Sequence, residues 1–186
     1  MRYKYTAFIS VLIVTLLFAM GPISVAAPFT IASAGEAECA IVTSDHPGPA
    51  VTNVSLELAD TLSKVTGGKF GVYSESLYKN QMPEILVGRS FAVNQLLRGQ
   101  DWDALGQDGI LIKTVKGSLI ITGATDRGTA NAVWIFLQKV VGCEWLTPTN
   151  TFIPDKPYLS VSNIDYTYSP KFAYREISSS SIPGDF

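Results

Sequence analysis

Gly109–Val115 reads GILIKTV, Lys116-Gly117 follows it, and Ser118–Gly123 reads SLIITG. Two apolar, β-branched runs joined by two residues, the second a glycine, are the pattern of a β-hairpin. Directly after it, Asp126 is expected to N-cap a long helix over Gly128–Val141. Ala130, Val133, Trp134, Leu137, Val140 and Val141 form a broad apolar face, widened by Ile135 and Phe136, which predicts a helix that is nearly buried. Gly142 is placed to cap it, and Cys143–Leu146 resumes an extended path. Leu159–Asp165 reads as a final strand.

Upstream of the hairpin, Glu38–Thr43 (ECAIVT) reads as the first strand. Beyond the breakers Asp45-His46-Pro47-Gly48-Pro49, Val51, Val54, Leu58, Leu62 and Val65 recur on one helical face, and Gly67-Gly68 closes that helix in left-handed fashion. Phe70–Tyr73 and Glu84–Gly88 read as strands and Phe91–Leu97 as a short helix. The fold class expected is α/β of the α+β kind: a mixed β-sheet with two long helices packed on it.

The first residues carry Arg2 and Lys4, then an uncharged apolar run from Ala7 to Met20, then small residues at Ser24-Val25-Ala26-Ala27. These are the three parts of a secretory signal peptide, with cleavage expected after Ala26. The run of 14 residues is short of the roughly 20 that span a bilayer, so no membrane association is expected after cleavage. Loss of residues 1–26 removes Arg2 and Lys4 and no acid, which moves the formal charge from −2 to −4. A mildly acidic chain is a poor binder of nucleic acid. The 160 residues left suffice for one core.

Cys39 and Cys143 both stand in apolar strand-like contexts. Export permits a disulfide; two buried thiols acting as small hydrophobes are the alternative, and the favoured one. With one cysteine pair and His46 the only histidine, neither a zinc site nor a Ser-His-Asp triad has enough members. No metal and no cofactor is expected. Gly123–Thr129 (GATDRGT) lacks the lysine of a phosphate loop and reads as turn chemistry, with Gly128 letting the helix approach the sheet. Arg127 is unfavourable at a helix start and calls for a partner, either a carboxylate or a carbonyl of a neighbouring domain. Asp45-His46 and the acids Asp101, Asp103 and Asp108 read as solvated loops, and Asn53-Val54-Ser55 is a sequon inside the first predicted helix. Trp102, Trp145, Tyr158, Tyr166 and Tyr168 could stack on sugar rings, with core or interface packing the default.

The hairpin, the segment Asp126-Arg127-Gly128-Thr129-Ala130-Asn131-Ala132-Val133 with Phe136-Leu137, and Gly142-Cys143-Glu144-Trp145-Leu146-Thr147-Pro148 together resemble the N-terminal domain of α-glucuronidase-like glycoside hydrolases, family 67 and related secreted bacterial proteins. The domain that precedes the barrel in family 20 β-hexosaminidases is similar. The resemblance covers residues 29 to 176. It implies an accessory domain over 28–166 that packs against a (β/α)8 barrel holding the catalytic carboxylates, with no catalytic residue in this chain. Residues 167–186 would be a linker and the start of a truncated barrel, the chain thus a fragment of a larger protein.

Ser169–Ile177 looks like the entry to the first barrel strand. In family 20 the arginine of a similar Pro-x-Phe-x-Tyr-Arg segment hydrogen-bonds sugar hydroxyls, a role that maps onto Arg175, while Glu176 stands where that family carries glycine. A structural ion pair for Arg175 is the alternative. Arg127, Trp145, Tyr174 and Glu176 are the expected domain-interface residues. The implied partner is a carbohydrate polymer or oligosaccharide held by the barrel, with xylan breakdown the implied setting. The rival readings are a free-standing exported carbohydrate-binding module and an exported structural domain without sugar chemistry.

Overall fold

The structure of the chain is a computed structural model that describes residues 27–79, 81–147 and 150–171. The leader expected over 1–26 and the positions Tyr174, Arg175 and Glu176 lie outside the described residues.

The central sheet has six strands in the order β11-β6-β7-β5-β3-β4. They are β3 (Ala40–Thr43), β4 (Val72–Ser74), β5 (Glu84–Val87), β6 (Ile110–Val115), β7 (Ser118–Gly123) and β11 (Asp165–Tyr168). β7, β5, β3 and β4 run parallel, and β6 is antiparallel to both β7 and β11. The predicted hairpin is therefore present, paired from Val115↔Ser118 to Ile110↔Gly123. Lys116 at φ 49° and Gly117 at φ 85° make its turn, the two positive values that match the turn to the twist of the strands.

Successive strand residues go to opposite faces, and two separate clusters follow. Ile41, Ile85, Val87, Ile110, Ile112, Leu119 and Ile121 face the two long helices, α1 (Pro49–Thr66) and α3 (Asp126–Phe136). Val42, Leu86, Leu111 and Ile120 face the other way, against Val93 and Leu97 of the α2 (Phe91–Leu96) region and Leu105 of a 3₁₀ turn. Burial on both sides explains why the strands read as continuous apolar runs. α1 ends on Gly67 in the left-handed conformation, as its sequence predicts.

Several expectations are corrected. Glu38–Thr43 is not the first strand: β1 (Phe29–Ser33) and β2 (Glu36–Ala37) precede it, joined at Ala34 (φ 51°) and Gly35 (φ 82°). Thr125, not Asp126, N-caps α3; the Thr125 hydroxyl accepts the Gly128 N–H, and Asp126 belongs to the first turn. The helix is regular only to Phe136 and widens into a π-turn over Leu137–Val141, because the N–H groups of Gly142 and Cys143 both converge on the Leu137 carbonyl. Nor is α3 nearly buried: Trp134 is exposed, since the sheet covers only one side of the helix. The final run Leu159–Asp165 is two strands. β10 (Leu159–Val161) pairs with β1 in a small sheet β10-β1-β2, and β11 joins the main sheet. The extended run after Cys143 is one arm of a hairpin, β8 (Glu144–Thr147) with β9 (Asn150–Phe152). Cys39 and Cys143 are buried free thiols.

Candidate functional site

Chain order reverses across β3: β4 lies on one side of it, β5 and β7 on the other. In open α/β sheets the crevice at the carboxyl ends of the strands, at such a switch point, is where ligands are usually held. Here it is small, a cavity of about 110 Å³ lined by His46, Gly48, Arg89, Thr125, Asp126 and Thr129. The starts of α1 and α3 meet in it. Gly48, the cap of α1, has no side chain to offer, and a Cβ there would fall on the Asp126 carboxylate. Asp126 thus places negative charge at two helix starts at once, where the helix dipole favours it.

The loops beside this crevice hold one another through carboxylates. Asp45 accepts the Ser76 N–H at 2.8 Å, and that bond holds its carboxyl below the usual range. Glu75 accepts the N–H groups of Phe91 (3.0 Å) and Ala92 (2.5 Å) and the Ser90 hydroxyl (3.3 Å), binding the start of α2 to the end of β4. Arg89 stacks its guanidinium 4.9 Å over the Trp102 ring. Glu75 and Arg89 carried no sequence signal except their place, Glu75 directly after β4 and Arg89 two residues after β5.

Of the acids Asp101, Asp103 and Asp108, the first and the last have a structural task. Asp101 accepts the N–H groups of Asp103 and Ala104 at 3.1 Å and caps the 3₁₀ turn. Asp108 pairs with Arg127, whose guanidinium also donates to Gln107 Oε1 at 3.3 Å. The partner that Arg127 calls for is therefore a carboxylate of this same domain. No group of three or more His, Cys, Asp and Glu among the described residues is arranged to hold a metal ion.

Trp145 lies elsewhere, on the β8–β9 hairpin. Its ring meets that of Trp134 edge-on at 5.0 Å, and every described residue of the two strands is exposed. Leu146 (59% exposed) and Phe152 (53%) are further exposed apolar residues of this hairpin; Phe152 stands opposite Glu144 and so on the other face from Trp145, which stands opposite Thr151. The other aromatics divide. Trp102 lies under Arg89, Tyr166 carries the Lys139 ammonium 5.6 Å from its ring, and Tyr158 and Tyr168 are exposed. Arg127 and Trp145 are thus not brought into contact with one another.

Residues 32–134, just over half of the chain, match the family model described as glycosyl hydrolase family 67 N-terminus. No curated protein matches the sequence. Among solved structures, a family GH115 4-O-methyl-alpha-glucuronidase with specificity for decorated arabinogalactans is similar over 76% of this chain, at 18% identity and a TM-score of 0.55. A GH20 beta-N-acetylhexosaminidase from Streptomyces coelicolor A3(2) is similar over 80%, at 17% identity and a TM-score of 0.52. A Streptomyces plicatus beta-hexosaminidase follows at 80%, 17% and 0.51. At such identities the likeness is one of fold. The chain spans 18%, 25% and 24% of those three proteins respectively.

Proposed function

The chain belongs to the family of glycosyl hydrolase family 67 N-terminal domains, and from that we propose that it is the non-catalytic accessory domain of an exported glycoside hydrolase. The observation that carries the reading is the family match over five of the six strands of the central sheet, all of α1 and α3 as far as Trp134, in a fold that makes up a quarter or less of longer glycoside hydrolases. Glycoside hydrolysis needs two carboxyl groups flanking one bond. Asp45, Glu75, Asp101 and Asp108 are instead engaged with backbone N–H groups or with Arg127. The catalytic pair is assigned to a (β/α)8 domain, whose substrate cleft this domain supports.

The interface reading rests on Trp145 with its exposed neighbours Leu146 and Phe152, and on Tyr174 and Glu176. Arg127, already paired with Asp108, contributes at most an outer contact. Arg175 would reach hydroxyls of the bound sugar. Export, with cleavage after Ala26, suits a substrate too large to enter a cell. A uronic-acid-bearing plant polysaccharide such as xylan is the substrate proposed; the likeness to a 4-O-methyl-alpha-glucuronidase with specificity for decorated arabinogalactans supports the uronic acid and leaves the polymer to the resemblance to family 67.

The test is direct. The purified chain, incubated with xylo-oligosaccharides that carry glucuronate, is expected to release no glucuronic acid while a full-length family 67 enzyme does so. Release by the chain alone would overturn the reading.

A further inference from the structure

The described residues hold a larger cavity, away from both the switch-point crevice and the aromatic hairpin. It lies along β4, an edge strand that pairs only with β3. Its volume is about 710 Å³, within the roughly 300–1,000 Å³ of small-molecule sites. Lys69, Tyr73, Tyr78, Lys79, Gln81 and Glu36 are the polar and aromatic groups around it.

Its walls are held in place. Tyr78 donates its hydroxyl to the Met82 carbonyl at 2.7 Å and accepts the Met82 N–H at 2.9 Å, which fixes the wall that follows it. The Tyr73 ring lies 5.6 Å from that of Tyr78, tilted by 37°. Tyr73 is also folded onto Gly71, where even a Cβ would collide with the ring. Despite these contacts Tyr73 remains 47% exposed, so packing does not use up its surface. Neither Lys69 nor Lys79 forms an ion pair among the described residues. Lys69 and Lys79 thus bring two ammonium groups to the rim, with Glu36 the carboxylate of the lining and Glu38 and Glu84 acting on Cys39 and Tyr78 from behind it.

We propose that this cavity is a binding site for an acidic saccharide. A pyranose ring presents C–H groups on one face, which suit a tyrosine ring, and hydroxyls at its edge, which suit Gln81 and Glu36. The anionic substituent, a carboxylate or a sulfate, is met by Lys69 and Lys79. The site needs no catalytic domain, so it goes beyond the accessory-domain reading and does not depend on it.

The full chain is titrated by NMR with three probes: sodium D-glucuronate, D-glucose 6-sulfate and D-glucose. The expected result is saturable shifts at Tyr73 and Lys69 with at least one charged probe, and binding of glucose weaker by roughly tenfold or more. The exposed-site variants Lys69→Ala/Lys79→Ala and Tyr73→Ala, checked for folding by circular dichroism, should each lose roughly tenfold in affinity. Added salt should weaken binding of the charged probes. No saturable shift with either charged probe, glucose binding as well as they do, or unchanged affinity in the folded lysine variant would each overturn the proposal. None of these outcomes bears on the hydrolysis assay above.

Discussion

Gly128 shows how a single position sets the distance between layers. A Cβ at Gly128 would stand 2.5 Å from the Gly109 carbonyl oxygen, and one at Gly123 would stand 2.4 Å from the Gly128 backbone. Three glycines therefore meet where hairpin and helix touch, and the neighbouring atoms are backbone that cannot yield. Gly128→Ala is expected to destabilise by about 1–3 kcal/mol through overpacking, measured by urea unfolding. Gly117→Ala meets open space and suffers only the positive φ of 85°, about 1 kcal/mol. A neutral Gly128→Ala would show that the layers are not in close contact there.

The thiols also belong to this scale. Burial, with some help from Glu38, pushes Cys39 up to about 12 from 9.0, and burial raises Cys143 against the opposing Lys156. A folded pKa above the unfolded value means that the neutral thiol is favoured in the fold. That stability is fully present below pH 9 and is lost progressively as pH rises toward 12. Native protein should react slowly with a thiol reagent at pH 8 and show both thiols once denatured. Only background reaction after denaturation without reductant would mean that the two are bridged.

Among the elements, α2 is the one that depends most on a distant residue. Six residues form too short a helix to persist alone. Its start is instead held by Ser90, whose hydroxyl accepts the Val93 N–H at 3.3 Å, and by Glu75 from beyond β4. Glu75→Ala leaves the N–H groups of Phe91 and Ala92 without that acceptor and is expected to lower stability by about 1–2 kcal/mol. Hydrogen exchange should rise first in Phe91–Leu96. Unchanged exchange there would show that Ser90 suffices. The opposite case is the β8–β9 hairpin, which has a partner in Trp134 but, among the described residues, no layer over it. A lone two-stranded hairpin is marginal in water, which fits an element that a neighbouring domain completes.

At the scale of the molecule, recognition of the family was carried by short-range patterns. The hairpin, its Lys116-Gly117 turn, the glycine at the start of α3 and the left-handed stop at Gly67 were all legible, because each is decided by neighbours a few residues apart. Thr125 and Asp126 are both good caps, and only the contact of the Thr125 hydroxyl with Gly128 N–H and Gln107 O separates them. β1 has no local signature because its apolar residues Phe29 and Ala32 find their partners, Val161 and Leu159, in β10, more than a hundred residues away. The split of 159–165 into β10 and β11 was hidden for the same reason: the two halves pair with different sheets.

The site divides along the same line. That Trp145 sits on an apolar, strand-forming segment, and that no zinc or triad chemistry has enough members, followed from residue type and count alone. That Arg127 turns to Asp108, that Asp126 serves the starts of two helices, and that Lys69, Tyr73 and Tyr78 surround one cavity could come only from the fold. Periodicity and turn chemistry act over a few residues and are written locally. The pairing of charges and the closing of a cavity depend on which strands lie side by side, and a linear pattern does not contain that order.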